Sequence, residues 1–286
     1  MITIENEYLT ASFSEMGGEL KSLLLDGKEY IWRGDPAIWK SSCPILFPIC
    51  GGLKEDKFIY EGREYLLPRH GFARTKTFSL EEKTDTSLTF LLSADEETRA
   101  VYPFEFTLRI RYRLAGKTLH IDYIVENEGE KTMYFSIGSH EGYFTPEGVE
   151  DYDVLFPENE TLDSYILCGT QVSDQKMPVI REQNYLPIYE KYFMIDTLVF
   201  KDLKSRSATL RNRKTGRAIR VDFPDAEYFM IWHKPGAPYL CLEPWNGIGD
   251  SLNSNQRIEE KEGIQTLPAG HKYQNTHSIT IENAGE

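Results

Sequence analysis

The chain has 286 residues, 40% of them hydrophobic and 27% charged, with a formal net charge of -13. This is the composition of an ordinary globular protein, long enough for one large domain spanning 1–286. An acidic chain with no long basic run is a poor partner for nucleic acid or an anionic membrane. No apolar stretch approaches the length of a membrane span. The start, MITIENEYLTASF, has neither the basic opening nor the apolar run of a signal peptide, so a cytoplasmic location is expected. Cys43, Cys50, Cys168 and Cys241 show no C-x-x-C spacing. Buried, reduced thiols are therefore expected in place of a disulfide framework or a zinc site.

Turn signals set the predicted elements. LLLDGKEYIW places Asp26-Gly27 between two apolar arms, which predicts a hairpin. PAIWK reads as a further turn. FIYEGREYLL repeats the hairpin signal around Glu61-Gly62, and SADEETRAVYPF predicts one short helix closed by Pro103. In TLRIRYRLAGKTLHIDYIVEN, Leu108, Ile110, Tyr112 and Leu114 alternate with Arg109, Arg111 and Arg113. After an Ala115-Gly116 turn the pattern resumes with Leu119, Ile121, Tyr123 and Val125, so this is a half-buried hairpin. FSIGSHEGYF predicts a strand, and ATLRNRKTGRAIRVDF a last hairpin turning near Thr215-Gly216. Many short strands with frequent turns, aromatics at 13% and scarce helical periodicity predict an all-β protein built as a large β-sandwich.

Three histidines carry no expected role: His120 on the polar face of its strand, and His271 and His277 among polar residues near the C-terminus. The other three are candidates. His70 lies in LLPRHGFAR, an irregular connection bracketed by Pro68 and Gly71; a histidine bonded to backbone at a strand end is the plainer alternative. His140 shares a strand face with Ser136 and Gly138, whose small side chains leave room for a ligand; a histidine filling a core gap beside Gly138 is an equal alternative. Glu141 points the other way, with the apolar set or out to solvent. In YLCLEPWNGIGD, alternation puts Glu243 between Cys241 and Trp245. A carboxyl so placed is poorly solvated and a candidate general base, unless an arginine pairs with it. Trp232 and His233 in MIWHKPGAP wall a pocket or pack a sheet edge. No G-x-S-x-G, H-E-x-x-H or phosphate-cradling loop occurs, which leaves cofactor-free, metal-free proton chemistry as the leading enzyme class.

CPILFPICGGLKEDKFIYEGREYLLPRHGFAR, YPFEFTLRIRYRLAGKTLHIDYIVENEGEKTMYFSIGSH and CLEPWNG resemble the aldose 1-epimerase (galactose mutarotase) superfamily, and most closely its LacX-type branch, from about Ile4 to past Gly270. The resemblance implies a β-supersandwich with a sugar site on a concave sheet face and anomer interconversion without a cofactor. It implies Glu243 as the base, His140 as the acid and His70 as a hydrogen bond to the ring oxygen or a neighbouring hydroxyl. It also implies Asp196, in IDTLVFKDL, as a holder of sugar hydroxyls. Trp232 or Trp245 would stack on the sugar. Two departures stand out. Gly52 occupies a position where relatives usually carry an arginine, leaving Arg74 or Lys54 to supply the charge. Glu141-Gly142 follows His140 where relatives have proline.

A small-molecule sugar is thus the expected partner, and a homodimer is compatible with the chain. A hexose-6-phosphate epimerase is the nearest alternative, with Arg69, Arg74, Lys76 and Lys54 as the cationic candidates for phosphate. A non-catalytic carbohydrate-binding protein is the next. Glycoside hydrolysis ranks last, because only Glu243 has a convincing setting.

Overall fold

The expected hairpins form, and their turn residues explain them. Asp26 and Gly27, then Glu61 and Gly62, both take positive φ, the backbone pairing that a two-residue hairpin with a right-handed twist requires. Phe106–Ala115 pairs in register with Thr118–Asn127, burying Phe106, Leu108, Ile110, Tyr112 and Leu114. The turn falls at Gly116-Lys117, one residue later than expected, because Ala115 is still laddered to Thr118. The helix spans Glu96–Val101, capped by Asp95. The computed structural model describes residues 1–282.

The largest sheet among the described residues has 15 strands, running from Ile45–Leu46 through Ile137–Ser139, Tyr239–Asn246, Tyr228–Trp232 and Thr197–Phe200 to Lys272–Glu282 and the 106–127 hairpin. The sheet folds back on itself. Glu141–Phe144 and Lys272–Glu282, far apart in ladder order, meet across the core. His277, expected to lack a role among polar residues, is instead buried. Along Lys272–Glu282 the side chains of Asn275, His277, Ile279 and Ile281 alternate inward, and polar composition near the terminus hid that register. No helix among the described residues is long and apolar enough to cross a membrane.

Two features differ from the sequence pattern. The stretch 133–144 is three short strands, Met133–Phe135, Ile137–Ser139 and Glu141–Phe144, interrupted at Ser136 and His140. The Ser136 N–H leaves the ladder to donate to the Pro48 carbonyl. Second, Tyr152–Cys168 and Gln171–Pro187 form a hairpin of 17-residue arms that the sequence did not announce. Its repeated register shifts break the alternation by which strands are read. Three of the four free cysteines are buried, and Cys168, beside this hairpin's turn, is exposed.

The HGF stretch is fixed from below. Phe72 stacks on Phe106 (5.9 Å between ring centroids) and meets Phe47 edge-on. Gly71 has φ 66°, and a Cβ there would stand 2.3 Å from the Phe47 carbonyl oxygen. A Gly71→Ala protein should lose about 2 kcal/mol or more of stability, read by denaturant unfolding.

Candidate active site

Register brings the two main candidates together. Gly138 lies opposite Trp245 and Glu141 opposite Leu242. His140 therefore stands across from Glu243, in the gap between these two pairings, with its Nε2 3.5 Å from Glu243 Oε1. Gly138 makes this possible: a Cβ there would come within 2.6 Å of the Trp245 ring. The Trp245 indole N–H donates to the Ser139 carbonyl at 2.9 Å, tying the two strands on the histidine's other side.

His70 reaches the same cleft from its loop, at φ 67°, in a reciprocal clasp with Gly51. The His70 N–H donates to the Gly51 carbonyl at 2.8 Å, and the Gly51 N–H donates to His70 Nδ1 at 3.2 Å. Because a backbone N–H can only donate, Nδ1 must accept, and a neutral His70 carries its proton on Nε2. Its ring sits edge-on to His140 (5.8 Å) and Trp245 (5.6 Å).

The cleft is walled by Trp39, Pro44, Arg69, Arg74, Asp196, Thr197, Trp232 and Trp245 around His70, His140 and Glu243, and has a volume of about 280 Å³. That is the size for one small ligand. Asp196 follows the short helix Glu190–Ile195 with φ 90° and ψ -97°, a conformation rare for a residue with a side chain and costly to hold. Arg69 Nη2 lies 3.8 Å from Asp196 Oδ2.

Burial dominates the electrostatics. It lowers His140 to about 3, with Arg69 and Arg74 adding in the same direction. His70 is likewise held well below the usual histidine range, first by burial and then by His140 and the two arginines. Glu243 is pushed well above the usual carboxyl range by burial, against the pull of Arg69 and with Glu141 and Asp196 assisting. Between the two, the Glu243 carboxyl therefore holds a proton more tightly than the His140 imidazole. His140, Cys241 and Glu243 bring a nitrogen, a sulfur and an oxygen within 4.8 Å of one another, the one such grouping among the described residues. Burial and the neighbouring Glu243 keep the Cys241 thiol protonated, which suits a packed wall and not a metal ligand.

Of the sequence candidates, His70, His140, Glu243, Asp196, Arg74, Trp232 and Trp245 line the cleft. Lys54 does not. Its ammonium is tied to the Leu252 and Ser254 carbonyls, because the Asp250 carboxylate holds the Lys54 N–H and turns the side chain along that loop. Lys76 pairs with Asp95 and Glu97 outside the cleft. His233 packs away from it, bonded to the Tyr239 carbonyl at 2.7 Å. Trp39 was missed as a site residue; its ring lies 5.2 Å from His140. Arg69 was weighed only as part of a phosphate cluster, although its place beside His70 in sequence was the available signal.

Glycines at or beside the two departures are hemmed in by close neighbours. A Cβ on Gly52 would lie 2.5 Å from Thr170 Cβ, at the tip of the long hairpin. A Cβ on Gly142 would lie 2.8 Å from the Trp39 ring, so glycine here admits Trp39 against His140.

Fold and site together define an all-β protein with an acid/base pair in an aromatic-walled cleft, suited to a small polar ring with apolar faces. The chain belongs to the aldose 1-epimerase family, whose model matches residues 1–280. The plasmid-borne protein LacX of Lactococcus lactis subsp. lactis is 37% identical over 297 residues, covering 99% of each chain. A galactose mutarotase related enzyme from Lactobacillus acidophilus superposes with a TM-score of 0.94 at 32% identity, over 99% of this chain and 97% of that one. A putative glucose-6-phosphate 1-epimerase of Escherichia coli K12 is 31% identical over 149 residues, 48% of this chain and 49% of its own.

Because the hairpin tip fills the space beside residue 52, Gly52→Arg should lower the melting temperature by several degrees. Gly52→Arg combined with Thr170→Gly should recover part of that loss, as differential scanning calorimetry would show.

Proposed function

We propose that the protein interconverts the α and β anomers of an aldose by opening and reclosing the sugar ring. The juxtaposition of His140 and Glu243 at 3.5 Å, sharing one proton in a desolvated cleft, carries this assignment. Ring opening removes a proton from the anomeric hydroxyl, makes the C1 carbonyl, breaks the bond from C1 to the ring oxygen and protonates that oxygen. On sugar binding the shared proton passes from Glu243 to His140; Glu243, now the carboxylate, accepts the anomeric proton as His140 delivers its own to the ring oxygen, and the pair again holds one proton, on Glu243. Rotation about C1–C2 and the reverse transfer give the other anomer. His70, whose Nδ1 is engaged by Gly51, presents Nε2–H to a sugar oxygen and steadies developing negative charge. Trp39 and Trp232 flank His140 and offer apolar faces to the ring. Asp196, oriented by Arg69, binds hydroxyls. The chain acts as one catalytic domain without a cofactor.

A phosphorylated aldose is the second reading. Arg69 and Arg74 both reach the cleft, and Arg69 Nε is buried without a hydrogen-bond partner among the described residues. Guanidinium groups are matched to phosphate.

Polarimetry of freshly dissolved α-glucose and α-galactose is expected to show accelerated equilibration. Glu243→Gln and His140→Asn should each reduce it by roughly 10²- to 10⁴-fold; a fully active Glu243→Gln protein would overturn the assignment. The active form is the singly protonated pair. The rate should therefore fall as pH rises past the raised Glu243 value, where the shared proton is lost, giving a limb in kcat/KM that lies above the usual carboxyl range. In parallel assays, glucose 6-phosphate turned over faster than glucose, with that preference abolished in Arg69→Met, would select the phosphorylated substrate.

A further inference from the structure

A smaller cavity of about 20 Å³ opens from the side of the cleft, and the proposed chemistry does not use it. Arg69, Thr197 and Trp245 line both spaces and so form the passage between them. Beyond that passage the walls are largely apolar. Leu167 and Val172 come from the two arms of the long hairpin, Val199 and Met230 from the sheet, and Ile248 closes the far side. The volume suits one methyl-sized group. A hydroxyl there would give up its water partners to such walls, whereas a methyl gains by leaving water.

Strand pairing fixes where this cavity lies relative to the reacting groups. Glu243 pairs with Met230, and Met230 pairs with Val199. Ladder partners share a face, so His140, Glu243, Met230 and Val199 form one row across the sheet, about 5 Å apart from strand to strand. His140 and the cavity therefore flank Glu243 on opposite sides. With the anomeric hydroxyl at Glu243 and the ring oxygen at His140, the remaining ring bond of C1 points away from His140. That bond leads to C2, whose substituent faces the cavity. Two polar groups stand beside the passage. Arg69 Nε is buried without a hydrogen-bond partner among the described residues, and Asp196 Oδ2 lies 3.8 Å from Arg69 Nη2.

Resting on the roles given to Glu243 and His140, we propose that the preferred substrate is a 2-acetamido-2-deoxy-aldose, whose acetyl methyl fills the side cavity. Arg69 donates to the amide oxygen and Asp196 accepts from the amide N–H, so one donor, one acceptor and one apolar socket meet the three parts of the acetamido group. A C2 hydroxyl would leave the socket empty.

The test is anomer equilibration followed by proton NMR, comparing kcat/KM for 2-acetamido-2-deoxyglucose with kcat/KM for glucose. The intact protein should favour the acetamido sugar roughly tenfold or more, the discrimination that a fitted methyl provides. Val199→Ile adds one methylene to the cavity wall and should cut that ratio about tenfold, with the melting temperature reporting that the fold is kept. Val199→Ala opens the cavity without overpacking it. In that variant the rate on the N-propanoyl sugar relative to the N-acetyl sugar should rise above that of the intact protein. Glucose turned over as fast as the acetamido sugar would overturn the proposal, as would an unmoved ratio in a folded Val199 variant. Acceleration of neither sugar would instead overturn the anomer reading beneath it.

Discussion

Everything at the site depends on one ladder gap. The strands 137–144 and 239–246 run antiparallel in a single register, and their pairing lapses where His140 meets Glu243. The period of two then distributes the neighbouring residues without further instruction: His140, Cys241, Glu243 and Trp245 to the cleft, Glu141 and Leu242 to the core. A slip of one residue would send both catalytic candidates into the hydrophobic interior. The register is therefore pinned on both sides, by Gly138 beneath the Trp245 ring and by the 141–144 pairing.

Burial then gives this pair its chemistry. In water, a carboxyl and an imidazole would hold their protons in the order opposite to the one found here. Desolvation of both disfavours charge on either, so the proton stays with Glu243 and the imidazole is neutral. Aromatic walls maintain that dryness while offering flat apolar faces, which lets one feature serve both proton affinity and ligand shape. His70 adds a donor of fixed tautomer, since a backbone N–H, which cannot be an acceptor, has claimed its other nitrogen.

Much of this was legible in the sequence. Hairpins announced by Asp-Gly and Glu-Gly turns formed as read, because positive φ is a local requirement that local residues reveal. Glu243 and His140 could be placed on their faces by alternation, and motif resemblance gathered them with His70. What alternation could not reveal was set by distant contacts. The 152–187 hairpin hides behind its bulges. His277, among Asn, Thr and Ser, carried no expected role, and only the strand pairing fixes its inward face. Lys54 was close in sequence to the site, yet a carboxylate about two hundred positions away, Asp250, directs its segment elsewhere. Trp39, from a turn with no strand signal, enters the cleft because Gly142 leaves space for it.

The Trp39 contact separates two properties that are often coupled. The placing of His140 against Glu243, on which the proposed proton transfer rests, depends on the sheet, where any change of register disturbs the whole core. The contour of the cleft beside His140 depends on an irregular loop, Asp35 to Trp39, whose tryptophan packs on the sheet at Gly142, Trp232 and Tyr239. In the proposed reading, the contour of the cleft and the geometry of the His140–Glu243 pair are therefore set by different parts of the chain, a turn for the one and a strand pairing for the other.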